Sequence, residues 1–188
     1  MNKPRAAHLV AAKNVLKYLK GTINQKLVYC KSAKPLSLHG YSDSDYAGSE
    51  DRRSTSGYCF KLCPESALVS WKTKKQDVIA LSSCEAEFIS LTYAIQEGKF
   101  LRQLYADMLK IDRSNFDLFI DNQGAIQLSQ NPIHRQRSKH IDVKYKFIRH
   151  EIQSGIVVPR YIPTNLNVSD MFTKPVNKAK LDSFNVSG

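Results

Sequence analysis

The sequence predicts an α/β domain on a mixed five-stranded sheet, in which three antiparallel strands precede parallel ones and helices flank the sheet. Three β-like segments follow one another closely, at 36–46, 57–63 and 67–72. Short strands at such spacing favour an antiparallel meander. Beyond them the apolar pattern changes to a helical period and then alternates between strand and helix. That alternation is typical of parallel strands joined by helical crossovers.

The first 35 residues contain a predicted helix and a linker. Between residues 5 and 20 the apolar side chains recur at helical spacing, and Gly21 is a plausible end for that helix. Residues 26–30, KLVYC, are a candidate strand, and residues 31–35, KSAKP, have the composition of a turn or linker. We therefore place a domain boundary near residue 35.

A long helix is predicted from Cys84 to Lys110. Ser82 followed by Glu85 forms a capping-box pattern at its start. Four apolar residues in its second half recur at i, i+3, i+4 and i+7, namely Leu101, Leu104, Tyr105 and Met108. This spacing aligns them on one helical face.

The remainder of the chain alternates between strand and helix. FDLFI at 116–120 is a short apolar strand, and the helical stretch QGAIQLS follows it. A second long helix is predicted over 138–153, with Gly155 as its C-terminal stop. The last strand, 156–163, contains Pro159 and is therefore expected at an edge of the sheet.

The charge of the chain favours a polyanionic partner. Twenty-eight Lys and Arg stand against 17 Asp and Glu, which gives a net charge of +11. Residues 1–42 hold eight basic residues and no acid, and residues 134–150 hold six basic residues and three of the five histidines. Such clusters are typical of nucleic-acid binding, and a solvated basic face is the alternative for each run.

The composition also excludes several classes of protein. Four cysteines are too few for a disulfide scaffold, and no second Cys or His pair completes a zinc site beside Cys59 and Cys63. We predict that all four, Cys30 and Cys84 included, are buried reduced thiols. No apolar run is long enough to span a membrane and the N-terminus lacks the apolar stretch of a signal peptide, so an intracellular protein without a membrane partner is expected.

Four acids lie at the ends of predicted elements. Asp43 is in the first strand and Glu87 in the first turn of the long helix, whereas Asp121 ends the fourth strand and Asp170 opens a last short helix. In a mixed α/β sheet these positions can converge at the strand ends. Asp45 faces the same side of its strand as Asp43, so geometry alone leaves the two tied.

Such a cluster of acids is unfavourable without cations, because like charges raise one another's pKa values. Mg²⁺ prefers hard oxygen ligands, and two ions about 3.5–4 Å apart can activate water and stabilise the leaving oxygen of a phosphodiester. The surrounding basic surface would hold the nucleic-acid backbone. An acidic centre inside a basic rim therefore predicts a metal-dependent enzyme that acts on nucleic acid.

Five blocks of sequence carry a resemblance to a known family. They are GYSDSDYAGSEDRRSTSGY, VSWKTKKQDVIALSSCEAEFISL, DNQGAI, RSKHIDVKYKFIR and IPTNLNVSDMFTKP. In order and spacing they resemble the ribonuclease H region of the polyprotein of copia-type LTR retrotransposons. Residues 4–29 are similar to the end of the reverse transcriptase that precedes this region. The resemblance implies a reverse-transcriptase remnant at 1–35, a ribonuclease H-like domain at 36–176 and a tail at 177–188 that is shorter than the family's usual end.

The resemblance also implies an activity and its residues. A ribonuclease H uses Mg²⁺, for which Mn²⁺ can substitute, to hydrolyse the RNA strand of RNA/DNA hybrids during reverse transcription. The four acids that match the family are Asp43, Glu87, Asp121 and Asp170. The match of Tyr41-Ser42-Asp43 to the family motif favours Asp43 over Asp45, and Asp142 is the alternative to Asp170.

Further residues are expected to contact the substrate. Those near the metals are Ser83, Cys84 and Asn122, and those expected to hold phosphates are Arg52, Arg53, Lys72, Lys74 and Lys75. The implied partners are an RNA/DNA hybrid and the reverse transcriptase domain of the same polyprotein. A catalytically inactive, nucleic-acid-binding remnant of a transposon polyprotein is the alternative function. An integrase or transposase is less favoured, because Glu87 comes earlier in the chain than their third acid.

Overall fold

The structure is a computed structural model that describes residues 3–29, 36–110, 115–130 and 139–184. Its strands are β1 His39–Asp45, β2 Thr55–Lys61, β3 Leu68–Lys75, β4 Phe116–Ile120 and β5 Val157–Tyr161. They form one five-stranded sheet in the order β3-β2-β1-β4-β5. β2 pairs antiparallel with β1 and β3, whereas β4 is parallel to β1 and β5. The predicted mixed sheet is confirmed.

Helices flank this sheet. The described residues form α1 Ala6–Gly21, α2 Ser83–Leu109, α3 Gln123–Gln130, α4 Lys139–Gln153 and α5 Lys178–Phe184. Two 3₁₀ turns follow β5, at Thr164–Leu166 and Val168–Phe172. Ser138, the predicted start of α4, lies outside the described residues.

The edge strands of the sheet are β5 on one side and β3 on the other. β5 pairs with β4 alone, so the edge position predicted from Pro159 is confirmed. The strand predicted at 26–30 is wrong, because residues 25–29 have no strand structure and Cys30 lies outside the described residues. The carbonyl of Val28 accepts a single bond from the Ala67 amide, 3.3 Å away, which is too little to form a ladder beside β3.

α2 packs on β1 and β2 through its first half. Phe88, Leu91 and Ile95 are each at most 4% exposed and belong to the main core cluster. Of the four residues predicted as the apolar face, Leu101 is buried, whereas Met108 is 65% exposed. The helix is confirmed, but its core face lies in the first half, where almost every residue is buried, including the polar Ser90 and Thr92, and the sequence shows no clear period.

The ends of the long helices have the predicted caps. The Ser82 hydroxyl accepts the amide of Glu85 at 3.2 Å, and the Glu85 carboxylate accepts the amide of Leu81 at 2.9 Å. Glu85 is therefore engaged in capping. After α4, Gly155 adopts a φ of +71°, a left-handed conformation that glycine tolerates best, and the helix ends there.

The thiols agree with the prediction only in part. Cys59 and Cys63 are buried and free, and Cys30 lies outside the described residues. Cys84 is half-buried, so the prediction of burial is wrong for this residue. It lies in the first turn of α2 beside Gly124, which has no side chain to cover its sulfur.

α1 stands apart from the core. None of its residues is buried, and its apolar side chains, including Leu9, Leu16 and Leu19, are more than half exposed. Within the described parts of the chain, no helix combines the length and apolar character needed to cross a bilayer.

Candidate metal centre

The register of the sheet brings two acids together, and a turn adds a third. Asp43 lies near the carboxyl end of β1 and is 2% exposed. Because Ser42 is opposite Ile120 in the parallel pair, Asp121, which follows β4, lies beside Asp43. Asp170 comes from the second 3₁₀ turn, which contacts β1 and β2. One carboxylate oxygen from each of these three acids lies within 4.8 Å of the other two.

Glu87 lines the same cleft from the side of α2. One oxygen, Oε1, accepts the backbone amide of Ser44 at 3.1 Å, whereas the buried Oε2 has no hydrogen-bond partner among the described residues. The cleft has a volume of about 480 Å³. Its lining consists of Asp43, Ser44, Glu87, Asp121, Asn122, Gln123, Tyr161 and Lys174.

Asp43 is held on its backbone and on its side chain. The Ser90 hydroxyl of α2 donates to the Asp43 carbonyl at 2.7 Å, and the Thr173 hydroxyl donates to the Asp43 carboxylate. Gly57 lies opposite Asp43 on β2. A Cβ at Gly57 would lie 2.6 Å from the Thr173 methyl carbon, so a glycine is needed for the turn to approach this closely.

Asn167 fastens the turn that carries Asp170. It is fully buried, and its side-chain amide donates to the Ser42 carbonyl at 3.1 Å. Its Oδ1 accepts the amide and the hydroxyl of Ser169 at 3.2 and 2.6 Å. The same side chain therefore caps the 3₁₀ turn, as predicted, and joins it to β1.

Two lysines that the sequence did not single out contact the acids. The ammonium of Lys174 lies 3.0 Å from Oδ1 of Asp170 and 3.6 Å from Oδ2 of Asp43. Lys180 pairs with Oδ2 of Asp170 and donates to the Thr164 carbonyl at 3.1 Å. Lys174 lies four residues after Asp170, inside one of the five blocks that resemble the family, so the sequence could have identified it as a neighbour of this acid. Lys180 lies in the predicted tail, and nothing in the pattern there distinguishes it.

Burial dominates the electrostatics of the cluster. It raises the pKa of Asp43 from 3.8 to about 6, although Thr173 and Lys174 act in the opposite direction. Burial also raises the pKa of Glu87, and the nearby Asp43 and Asp121 add to the increase. For Lys174, burial lowers the pKa, but the neighbouring carboxylates outweigh it and the net shift is upward. The cluster therefore favours either protons or cations.

The arrangement fits a divalent metal ion. Carboxylate oxygens are the hard ligands that such ions prefer, and three of them converge here. The unpartnered Oε2 of buried Glu87 supplies a further free oxygen at the same cleft, among the residues that the structure describes. A cation would offset the cost of burying these charges and the smaller repulsion between them, which together raise the pKa values of Asp43 and Glu87.

The two alternative ligands lie elsewhere. Asp45 is half-exposed and packs against Gly48, where any side chain would overlap its carboxylate. Asp142 is on α4 and forms an ion pair with Lys146 at 2.8 Å. Among the described residues, neither belongs to the cluster of converging carboxylates, which Asp170 joins with Asp43 and Asp121. The roles of the four acids and of these alternatives stay predictions.

Of the substrate contacts predicted near the metals, Asn122 lines the cleft, whereas Ser83 and Cys84 are not among the described residues of its lining. The Oδ1 of Asn122 accepts the amide of Ala125 at 3.0 Å, which orients the start of α3. Ser83 is exposed at the first position of α2, one turn before Glu87, and Cys84 follows it.

The predicted phosphate contacts divide into two groups. Arg53 and Lys75 both pair with Asp51, at 3.7 and 2.8 Å, and Arg52 is exposed beside them. Because Asp45 is opposite Thr55 and Thr55 is opposite Lys75, this group lies at the same end of the sheet as the acids.

The other two lysines lie on the α2 side of the sheet. Lys72 and Lys74 line a separate cavity of about 500 Å³ with Tyr58, Tyr93 and Glu97. Lys74 is also paired with Asp77 at 2.9 Å. Neither Lys72 nor Lys74 is among the described residues that line the cleft of the acids. The five basic residues therefore do not form one continuous path for phosphates. Of the basic run 134–150, residues 134–138 lie outside the described residues.

Comparison with known proteins identifies relatives along almost the whole chain. No protein-family model matches it. It is 36% identical over 186 residues to the retrovirus-related Pol polyprotein from transposon RE1 of Arabidopsis thaliana, which covers 98% of this chain. It is also 36% identical over 183 residues to the Pol polyprotein from transposon TNT 1-94 of Nicotiana tabacum, which covers 97%. The chain spans only 12% and 13% of the length of these two relatives.

The fold has matching solved structures. A crystal structure of LC11-RNase H1 in complex with an RNA/DNA hybrid aligns with a TM-score of 0.54 and 14% sequence identity. The alignment covers 73% of this chain and 94% of that one. At this identity the likeness establishes the fold, and the sequence relatives establish the lineage. The chain belongs to the Pol polyproteins of copia-type retrotransposons, and its domain has the ribonuclease H fold.

Proposed function

We propose that this chain is the ribonuclease H module of a copia-type polyprotein and hydrolyses the RNA strand of RNA/DNA hybrids during reverse transcription. The observation that carries the proposal is the approach of Asp43, Asp121 and Asp170 to within 4.8 Å at the end of the sheet. LC11-RNase H1, which shares this fold, was crystallised in complex with an RNA/DNA hybrid, and that complex supports the choice of substrate.

The proposed cofactor is a pair of Mg²⁺ ions, for which Mn²⁺ can substitute. Asp43, Glu87, Asp121 and Asp170 would hold them. When bound, such ions activate water and stabilise the leaving oxygen of a phosphodiester. The protein's own part is to fix the carboxylates: Thr173 orients Asp43, and the Ser44 amide holds one oxygen of Glu87 while the other has no hydrogen-bond partner among the described residues.

The proposed substrate path runs over the end of the sheet. Asn122, which lines the cleft, and Ser83, one turn before Glu87 on α2, can donate or accept hydrogen bonds, as recognition of a ribose 2′-hydroxyl requires. Cys84 lies beside them. Arg52, Arg53 and Lys75 would hold phosphates at the same end of the sheet. Lys72 and Lys74 would do so only if the hybrid extends to the second cavity.

The proposed protein partner is the reverse transcriptase domain of the same polyprotein. Residues 1–35 would be its C-terminal end, with the ribonuclease H domain at 36–176 and a short tail after it. The exposed apolar side chains of α1, such as Leu9, Leu16 and Leu19, are consistent with a surface that the rest of that domain covers. The complex would act inside the cell, in the cytoplasm, in virus-like particles or in the nucleus.

The direct test is cleavage of an RNA/DNA hybrid whose RNA strand carries an end label. We expect the wild-type chain with Mg²⁺ to cut the RNA, and Asp121→Asn to lower the rate by at least about 1,000-fold while still binding the hybrid. Duplex DNA of the same sequence is the substrate control. Tight binding without cleavage by either protein would instead favour the inactive remnant, which the neutralisation of Asp170 by two lysines makes the second candidate.

Magnesium should stabilise the protein more at high pH than at low pH. With a pKa of about 6, Asp43 is mostly protonated at pH 5 and ionised at pH 8. Metal binding requires the ionised form, so the affinity should increase across this interval. We expect 10 mM Mg²⁺, roughly a saturating concentration, to raise the melting temperature by several degrees at pH 8 and much less at pH 5.

The same measurement on Asp43→Asn is the control for this pH dependence. Burial lowers the pKa of His39. We expect the titration of His39 to change the melting temperature equally with and without metal. Its contribution therefore cancels in the magnesium-dependent difference. An equal rise in melting temperature at both pH values would contradict the assignment of Asp43 as a ligand.

A further inference from the structure

The ammonium of Lys174 contacts two of the three clustered acids. It lies 3.0 Å from Oδ1 of Asp170 and 3.6 Å from Oδ2 of Asp43, and Lys174 lines the cleft. Asp170 is fully buried, so its charge requires a nearby cation. A lysine ammonium and a divalent ion cannot both take the same face of Asp170 and Asp43.

Lys180 contacts the same carboxylate, that of Asp170, from another side. It pairs with the other oxygen of Asp170, Oδ2, and also donates to the Thr164 carbonyl at 3.1 Å. Unlike Lys174, it is not among the described residues that line the cleft. Lys180 therefore holds the Oδ2 side of Asp170, whereas Lys174 contacts Oδ1.

We propose that Lys174 is a built-in counter-cation that competes with the divalent metal for Asp43 and Asp170, and that its side chain leaves the acids when metal binds. The inference rests on the proposed function, in that the carboxylates are taken to hold metal. The side chain of Lys174 is 36% exposed, so it can withdraw into solvent without opening the core. The ion pair keeps the acids together in the metal-free protein. Because a metal ion must displace the lysine, the pair also lowers the affinity for metal.

The test compares Lys174→Met with Lys174→Arg and with Lys178→Met. Methionine keeps the length of the side chain and removes its charge, whereas arginine keeps the charge. Lys178 is an exposed lysine of α5, so its replacement controls for the loss of one positive charge near the site. Titration calorimetry with Mg²⁺ and with Mn²⁺ measures affinity, and thermal unfolding without metal measures stability.

We expect Lys174→Met to bind Mg²⁺ about tenfold more tightly than the wild type, since it removes a competing cation. Its metal-free melting temperature should fall, because Asp43 and Asp170 lose the cation that they share, and added Mg²⁺ should restore it. Lys174→Arg and Lys178→Met should behave like the wild type in affinity.

Three results would overturn the inference. If the wild type binds metal and Lys174→Met binds it with the same affinity, Lys174 does not compete, while the proposed metal site stands. If Lys174→Met binds more weakly, Lys174 supports the ligands and does not compete with the ion. If no variant binds metal at any concentration tested, the metal site of the proposed function fails together with the inference.

Discussion

Asp43→Asn is expected to abolish cleavage of the hybrid, with a rate at least about 1,000-fold lower, and at the same time to stabilise the metal-free protein. Asparagine has nearly the same shape and can still accept the bond from Thr173, but it lacks the charge that a metal ion needs. Removing one of three converging carboxylates should therefore disable the site without disturbing β1.

The gain in stability follows from the pKa of Asp43. The folded value of about 6 is above the ordinary value of 3.8, so the protonated form favours folding. This contribution is fully present below about pH 4 and is lost as the pH rises through about 6, where ionisation costs on the order of 3 kcal/mol. Asp43→Asn should thus raise the free energy of unfolding by about 2 kcal/mol at pH 7.5 and change it little at pH 4.

Urea unfolding without metal and single-turnover cleavage with Mg²⁺ measure the two effects. Asp45→Asn is the matched control, because this acid is on the same strand face but does not line the cleft among the described residues. It should leave both quantities near the wild-type values. Normal cleavage by Asp43→Asn, together with an inactive Asp45→Asn, would reverse the choice between the two acids. Asp170→Asn and Asp142→Asn test the fourth ligand in the same way.

Asn167→Ala is expected to have the largest effect on the fold around the site. The substitution leaves the Ser42 carbonyl and both polar groups of Ser169 without their partner in a buried place. Each such loss typically costs about 1–3 kcal/mol, so a total of about 3 kcal/mol is expected. Because Asn167 joins the turn of Asp170 to β1, the affinity for Mg²⁺ should fall as well.

Asn165→Ala provides the control for this substitution, since Asn165 is exposed in the preceding turn. Denaturant unfolding gives the stability, and calorimetry gives the metal affinity at a temperature where both variants are folded. If Asn167→Ala binds Mg²⁺ as tightly as Asn165→Ala does, the turn does not need this anchor to place Asp170.

The fold was predictable because its local signals agree with one another. The meander before residue 75, the capping residues Ser82 and Glu85, and the edge strand with Pro159 each follow from local chemistry. The buried face of α2 could not be found from periodicity, because almost every residue around Leu91 is buried and the polar Ser90 and Thr92 interrupt the apolar pattern. The strand predicted at 26–30 failed because a short apolar run does not by itself supply a pairing partner.

The candidate site was predictable only in its acids. Position at a strand end identifies Asp121 and leaves Asp43 tied with Asp45, which the family motif at Tyr41-Ser42-Asp43 separates; the start of a short helix identifies Asp170. The environment of these acids depends on packing between segments far apart in sequence, such as Thr173 against Asp43 across Gly57. The pairing of Lys180 with Asp170 depends on the path of the chain after residue 175, which the sequence pattern does not predict.

Diffraction from crystals soaked in Mn²⁺, recorded at the manganese absorption edge, tests the central claim most directly. The proposal predicts two anomalous peaks about 3.5–4 Å apart in the cleft, with oxygens of Asp43, Glu87, Asp121 and Asp170 as ligands and the Lys174 side chain displaced. No peak in the cleft at saturating Mn²⁺, or a peak coordinated by Asp45 or Asp142 instead, would contradict it.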